Sequence, residues 1–482
     1  MRLQELVHLL RRHDLVAHAP EENPQITSLT VDSREVKPGS LFLAVRGALT
    51  DGARFIPRAV DAGAAAVTSE RPIDCGVPVL VVHDGRRAAQ AIAEEWYHHP
   101  ALTLRIVGIT GTNGKTTTTT LVRHLLNIDG SVGSVGTLGA FDGAGRSVES
   151  SAGVLTTPGP VDLQATFRAL VDTGVRTVSM EASSHALDQG RLDALTFAGA
   201  VFTNLTRDHL DYHASMDAYR VAKLRLAELV ATDGVLSVNI DDPAWVPLLK
   251  DRRAVTWGFG ADAAMRVGNV QLIPGGSRFT ITGRYGIHET SLPIPGDFNI
   301  SNAVGAVAAV VGMGIPLTEI IQRLATAPQV PGRMERIADT PFLVLRDYAH
   351  TPDAIERALA TLRPRTTGKL LLVFGCGGER DIGKRPMMGR LAVAGADYVM
   401  VTSDNPRFED PEKIIDDVVA GMPAGSYARE ADREKAIIEA LRQARPGDTL
   451  LLAGKGHETY QVVGDEDLPF DERQIVLDYL GQ

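Results

Sequence analysis

The stretch IVGITGTNGKTTTTTLV, residues 106 to 122, constrains this chain more than any other. An apolar run, LRIVGI, leads through glycines at 108, 111 and 114 into Lys115 and a threonine-rich segment of helical character. The common phosphate-gripping loop reads G-x-x-x-x-G-K-[ST]. Here Ile109 stands where its first glycine belongs, so a strict pattern match fails. Strand, glycines, Gly-Lys-Thr and helix nevertheless occur in the required order, and the glycines let backbone N–H groups turn inward around an anion. The segment therefore predicts a nucleotide site over Gly111, Thr112, Asn113, Gly114, Lys115, Thr116 and Thr117. Lys115 reaches the β/γ-phosphates, Thr116 offers a hydroxyl to Mg²⁺, and the helix dipole favours negative charge. The competing reading is a glycine-rich turn with a solvated lysine. Thr118, Thr119 and Thr120 are weak helix formers, expected to pack or face solvent without further chemistry.

At 482 residues the chain exceeds a single core, and its length suggests about three domains. A net charge of -10 without a basic stripe argues against nucleic-acid binding. Cys75 and Cys376 offer neither a disulfide framework nor metal-ligand spacing and are expected as reduced thiols. The N-terminal MRLQELVHLLRRHDLV is an amphipathic helix pattern rather than a signal peptide. The longest apolar run, residues 303 to 315, is too short to cross a bilayer and is expected as a buried helix. The protein is accordingly expected in the cytoplasm, as a monomer, without membrane insertion.

The predicted fold class is α/β in three domains. Residues 1–98 give a small N-terminal α/β domain, with strands SLTVDS, SLFLAV, AAVTS and VPVLVV. Residues 99–332 give a central P-loop ATPase domain with a mostly parallel sheet, and the proline-bearing APQVPGRME reads as a linker. Residues 333–482 alternate strands and helices again, as a Rossmann-like domain without the G-x-G-x-x-G fingerprint of dinucleotide binding. Polar segments DYAHTPD, GCGGERDIGKRP, SDNPRFED and GKGHETY follow its strands. Ligands bind at the carboxyl ends of open α/β sheets, so these four are expected to converge.

GTNGKTTTT, SMEASSHALDQGR, TNLTRDHLDYH, FNISNAVGA, GRME, DYAHTPD and SDNPR stand in an order that resembles the Mur ligases of peptidoglycan synthesis, across all three domains. The branch most similar is the one that adds the third residue of the stem peptide. The resemblance implies an ADP-forming amide ligase acting on UDP-MurNAc-L-Ala-D-Glu, with ATP and Mg²⁺, through an acyl phosphate. It implies Thr116, Glu181 and His209 as metal ligands and Lys223 as a carbamylated lysine. Taken alone, Glu181 could be a helix cap, His209 structural and Lys223 a surface lysine. For ATP it adds Asn302, Arg333 and Asp347, with His350 nearby, residues that could equally serve the linker or caps. For the nucleotide-sugar peptide it implies Val31, Ser33, Ala48, Leu49, Thr50, Thr156, Thr157, Ser183, Gln189 and Arg191. Leu155 departs from relatives that carry a polar asparagine there.

The amino acid added is read from SDNPR. Meso-diaminopimelate has a second amino-carboxylate head that L-lysine lacks, and a carboxylate suits a bidentate, permanently charged partner. Arg407 supplies one; by resemblance Arg380, Asp404, Asn405, Pro406, Gly454 and Glu458 complete the pocket. DNPR alone could be an Asx-Pro turn. The rival readings are a lysine-adding or dipeptide-adding relative, a folylpolyglutamate synthetase and, from another class, a P-loop NTPase switch or nucleotide-binding module.

Overall fold

The computed structural model describes residues 1–47, 50–148, 155–210, 212–273 and 275–481, and the chain divides into two compact units. The first comprises residues 1–255 with 312–314, the second residues 256–311 with 315–482.

The first unit opens with the helix Leu3–Arg12, whose Leu3, Leu6, Val7, Leu9 and Leu10 are buried as the apolar spacing requires. Strands Ser28–Thr30, Ser40–Leu43, Ala66–Ser69 and Val79–Val82 run parallel, with Val16–His18 antiparallel at one edge. Asp84 starts the helix Gly85–Trp96 by accepting from the N–H groups of Arg86 and Arg87.

A second sheet in this unit is built around Arg105–Thr110, which lies between Phe197–Phe202 and Thr177–Glu181 and parallel to both. Val230–Asn239 and Val132–Gly136 extend it in parallel, and Gly139–Phe141 closes one edge antiparallel. The middle of the central strand, residues 106–109, is apolar because helices cover both faces. Gly108, inside it, serves packing: a Cβ there would come within 2.9 Å of the Phe197 ring. The helix Lys115–Leu126 follows the loop directly. Thr117, Thr118 and Thr119 are buried, and Thr120 bonds back to the Thr116 carbonyl at 3.0 Å, so the threonine run does pack.

The second unit departs from the expected parallel rhythm. Met265–Ile273, Gly276–Gly283 and Gly286–Leu292 form an antiparallel meander, since connections this short cannot carry a crossover. The apolar run near 303 is a buried helix, as expected, but it starts at Asp297 and so includes Asn299 and Asn302, both buried. The presumed linker APQVPGRME lies within this unit, with Val330 and Met334 in its interior.

Its main sheet runs Glu335–Ala338, Leu343–Asp347, Thr449–Ala453, Leu370–Phe374, Tyr398–Val401, Ala428–Arg429, all parallel except the first. The strand latest in sequence sits between the two earliest parallel ones. That reversal of order opens a crevice at their carboxyl ends. A hairpin, Tyr460–Val463 with Glu466–Pro469, follows and was not expected from the sequence.

Candidate active site

The phosphate-type loop takes its shape from Gly111 at φ +149° and Gly114 at φ +83°. It is stapled to the chain leaving the neighbouring strand. Thr112 N donates to Asn204 O at 2.7 Å, Asn113 N to Asn204 Oδ1 at 3.0 Å, Thr203 Oγ1 to Asn113 O at 2.7 Å, and Thr206 N to Thr112 Oγ1 at 3.0 Å. Thr203 and Asn204 were not singled out from the sequence; short polar residues just past a strand end were the available signal. Lys115 Nζ donates to the carbonyls of Gly111 and Thr112 at 3.1 and 2.8 Å.

Lys223 is no surface lysine. It is 1% exposed on the helix Met216–Glu228, donates to Gly111 O at 2.8 Å and sits 4.4 Å from the Tyr219 ring centre. Burial, and then the Lys115 charge, hold its pKa well below the usual lysine value, while Asp208 pulls the other way.

Glu181 ends the strand opposite Ile109, buried beside the loop. Thr137 supplies both its hydrogen bonds, from N to Oε1 at 2.9 Å and from Oγ1 to Oε2 at 3.1 Å. Thr137 was missed in the sequence. The expected peptide-binding residues join around this carboxylate. Thr157 Oγ1 donates to Glu181 O at 2.7 Å and accepts from Ser183 N at 3.0 Å; Arg191 donates to Thr157 O at 3.0 Å and to Gln189 Oε1 at 2.7 Å. Thr156 meets Thr137 hydroxyl to hydroxyl at 3.3 Å. His209, at φ +52°, lies in an aromatic group, 4.8 Å from the His185 ring and 6.1 Å from Tyr219, with Nε2 3.5 Å from Asp208 Oδ2.

Among the described residues no three His, Cys, Asp or Glu side chains gather to hold a metal. The Thr116 hydroxyl and the Glu181 carboxylate, both buried, are hard oxygen donors. That sparse set fits Mg²⁺, which takes one or two protein oxygens and completes its shell with phosphate and water.

Beside this site a cavity of about 530 Å³ is lined by Arg46, Arg86, Arg87, Asp188, Gln189 and Arg225, among others. Arg86 bridges the expected domain boundary, donating to the Gln189 carbonyl and to Arg46 O. Ser33 is buried and Val31 partly exposed in the parallel sheet's first loop; Ala48 and Leu49 lie outside the described residues, next to an exposed Thr50.

In the second unit the four polar segments do converge. Gly454 N donates to Asp347 O at 3.0 Å, Gly378 N to Asn405 O at 2.9 Å, and Lys384 Nζ to His350 O at 2.9 Å. The Tyr348 and His457 rings lie 5.7 Å apart. Arg333 lies over the Tyr348 ring at 4.6 Å, and Asp347 Oδ2 accepts from Met334 N at 2.6 Å. Burial pushes the Asp347 carboxyl up to about 6, against the pull of Arg333 and two backbone N–H groups. Asn302 is buried in its helix and donates to Asn299 Oδ1 at 3.3 Å.

Arg407 adopts φ +53° and aims Nη1 at Gly378 O, 2.9 Å, and Asn405 O, 3.4 Å. The buried Asn405 has its amide fixed: Oδ1 accepts from Lys455 Nζ and Val462 N, both at 2.9 Å, and Nδ2 donates to Glu458 Oε2 at 2.8 Å. It orients the pocket as much as it lines it. Lys455, fully buried, was missed although its segment was flagged. Gly454, at φ +115°, must be glycine, because a Cβ would overlap Asp404 Oδ2. Arg380 is exposed on the neighbouring loop, and Pro406 packs its carbonyl against Gly378. Arg385, 1% exposed, ties that loop to SDNPRFED by donating to both oxygens of Glu409 at 2.9 Å.

A phosphate loop on a parallel sheet, with a second α/β unit gathering acids and arginines at its strand ends, defines a nucleotide-using enzyme of the ligase kind. Family models match along the chain: Mur ligase family, catalytic domain, at residues 25–97; Mur ligase middle domain at 109–310; and Mur ligase, glutamate ligase domain, at 332–456. The chain belongs to the Mur ligase family. It is 43% identical over 466 residues, 94% of either chain, to the UDP-N-acetylmuramoyl-L-alanyl-D-glutamate–2,6-diaminopimelate ligase of Geobacillus thermodenitrificans. The ligase of the same name from Synechococcus elongatus is 43% identical over 93% of either chain. A solved structure of a ligase so named superposes with a TM-score of 0.64 at 33% identity, covering 95% of either chain.

Proposed function

We propose that this chain adds meso-diaminopimelate to UDP-MurNAc-L-Ala-D-Glu in the cytoplasm, at the expense of ATP. The labour is divided among residues 1–98 for the nucleotide-sugar, 99–332 for ATP and the acyl-donating dipeptide, and 333–482 for the amino acid. The observation that carries the reading is Arg407, a guanidinium held by its own backbone conformation and by Gly378 O among Asp404, Asn405 and Glu458. An ammonium-only side chain such as that of L-lysine has no use for it.

The chemistry follows from the residues. A carboxylate is a poor acyl donor, so the γ-carboxylate oxygen of D-Glu attacks the γ-phosphorus, ADP leaves, and an acyl phosphate forms. The amine then attacks the carbonyl carbon, inorganic phosphate leaves, and the nitrogen gives up a proton. Lys115, the backbone N–H groups of Gly111 to Gly114 and Thr116 hold the triphosphate; Asn302, Arg333 and Asp347 serve the nucleoside side. Thr116 and Glu181, with His209 on the Asp208 side of the site, would hold Mg²⁺, which would supply charge neutralisation to the phosphates. Thr156, Thr157, Ser183, Gln189 and Arg191 orient the dipeptide, positioning being the main source of rate here. Val31, Ser33, Ala48, Leu49 and Thr50, with the arginine-lined cavity, supply the nucleotide-sugar grip. Lys223, whose burial favours the neutral form, presents the amine that attacks CO₂; an N–C bond forms, a proton leaves, and the carbamate anion adds an oxygen donor. Arg380, Asp404, Asn405, Pro406, Arg407, Gly454 and Glu458 receive the distal head of the amino acid.

The test is phosphate release with each co-substrate omitted in turn, and with L-lysine replacing diaminopimelate. Turnover is expected only with all three substrates, and Arg407→Ala should weaken diaminopimelate use about 30- to 1,000-fold, the loss typical of removing one partner of a buried charge pair, while KM for ATP stays put. Comparable rates with lysine would defeat the assignment, and hydrolysis independent of the muramoyl peptide would favour the NTPase reading.

A further inference from the structure

Two polar side chains that touch none of the residues expected to bind substrate are the most thoroughly buried ion pair of the second unit. Arg433 and Glu472 are each 0% exposed by side chain, 2.7 Å apart. Arg433 opens the helix Arg433–Gln443 and Glu472 opens Glu472–Leu480. A cation in the first helical turn opposes the helix dipole, so Arg433 is not placed there to stabilise its own helix. Nor does a buried ion pair generally outperform an apolar pair of the same size.

What the guanidinium does reach is informative. Nε donates to Glu472 Oε1 at 2.8 Å, Nη1 to Ser403 O at 3.0 Å, and Nη2 to Ala453 O at 2.9 Å. Ser403 follows the strand Tyr398–Val401 and Ala453 ends Thr449–Ala453, just where carbonyls run out of sheet partners. The residues directly after them are Asp404 and Asn405 on one side and Gly454 on the other. Those two loops approach so closely that a Cβ on Gly454 would overlap the Asp404 carboxylate. A planar fork with three N–H directions is the side chain best able to fix the spacing of two such carbonyls. Glu472 holds the fork in plane, and Arg473, its neighbour, continues to Glu335 at 3.1 Å, which in turn accepts from Gly332 N beside Arg333.

We propose that Arg433, held by Glu472, is a positioning residue for the amino-acid pocket: it sets the spacing of the Asp404–Asn405 and Gly454–Glu458 loops, and so the affinity for the incoming amino acid. The proposal rests on the reading of that pocket as the diaminopimelate site. Removing the fork leaves the pocket's own side chains intact but lets the loops drift.

The experiment separates position from stability with two variants of the full chain. Arg433→Met with Glu472→Leu replaces the pair by apolar side chains. It should stay folded, with the melting temperature lowered by the two carbonyls left without donors, while KM for diaminopimelate rises about 10- to 100-fold, the range typical of groups that support a binding shell, with KM for ATP unchanged. Glu472→Gln retains an acceptor for Arg433 but leaves its charge unbalanced. It should lower the melting temperature while KM for diaminopimelate stays within about threefold. A folded double variant with wild-type KM for diaminopimelate overturns the proposal, as does a Glu472→Gln variant whose KM for diaminopimelate rises as its stability falls. Wild-type enzyme that fails to use diaminopimelate would instead overturn the site reading, a result visible before any variant is made.

Discussion

Gly111→Ala is the most direct challenge to the phosphate loop. At φ +149° the residue lies in backbone territory that side chains avoid. The new Cβ would overlap Thr203 Oγ1 and sit 3.1 Å from both the N and the O of Asn204. Thr203 must then turn away, losing its 2.7 Å bond to Asn113 O, and Asn204 must retreat, stretching the 2.7 Å bond from Thr112 N. Two ordinary hydrogen bonds are together worth about 2 kcal/mol. Backbone strain at such a φ adds about 1 kcal/mol or more. Because these bonds shape the loop rather than the core, about 3 kcal/mol should appear mostly as lost nucleotide affinity, roughly a 100-fold rise in Kd. Calorimetric titration with ATP and Mg²⁺, alongside a melting curve, reads both quantities. A variant that binds ATP within threefold of wild type at unchanged melting temperature would refute the claim that the 203–206 segment shapes the loop.

Lys223→Met should raise the melting temperature near neutral pH, because unfolding returns a buried, pKa-depressed amine to water where it binds protons more tightly, and methionine has no such incentive. The same variant should lose about 10²- to 10³-fold in kcat, as when one preorganised charge is removed from a reacting centre; differential scanning fluorimetry and steady-state phosphate release check the two halves. The raised Asp347 carboxyl makes the folded chain hold a proton that the unfolded chain has released, so its contribution to stability is present at acid pH and is lost as pH rises from about 4 through about 6. Nucleotide affinity should move the opposite way, improving through that window as the carboxylate forms. Asp347→Asn should flatten both profiles, measured by urea titrations and ATP binding at a series of pH values.

The sequence made the regular parts legible because their signals are local. Apolar strands such as LLLVF and the strand–glycine–Lys–Thr order each lie within a few residues of one another. The convergence of four polar loops was also accessible, since topology alone places them at one sheet edge. What escaped was contact between segments far apart. Lys223 looks like any lysine on a charged helix until that helix is laid against Gly111. Thr137 is unremarkable until the Glu181 carboxylate meets it across 44 positions. Arg433 and Glu472, separated by 39 positions, carry no motif at all. The meander between Met265 and Leu292 was hidden differently: its alternation is real, but surrounding βαβ units bias the reading toward a parallel continuation.

The three nitrogen side chains on which the proposed chemistry depends share a resting arrangement. Lys115 and Lys223 both donate to the Gly111 carbonyl, and Arg407 donates to those of Gly378 and Asn405. A main-chain carbonyl is a neutral acceptor, so it holds a cation in place while giving way to any anion of matching geometry, since charged pairs are about twice as strong. If Lys115 and Arg407 bind as proposed, substrate capture is an exchange of acceptors rather than the ordering of loose side chains, and little conformational entropy is lost in the step. Gly111 O accepts from both Lys115 and Lys223. On the proposed chemistry, Lys115 turning to a phosphate would leave that carbonyl to the buried amine alone.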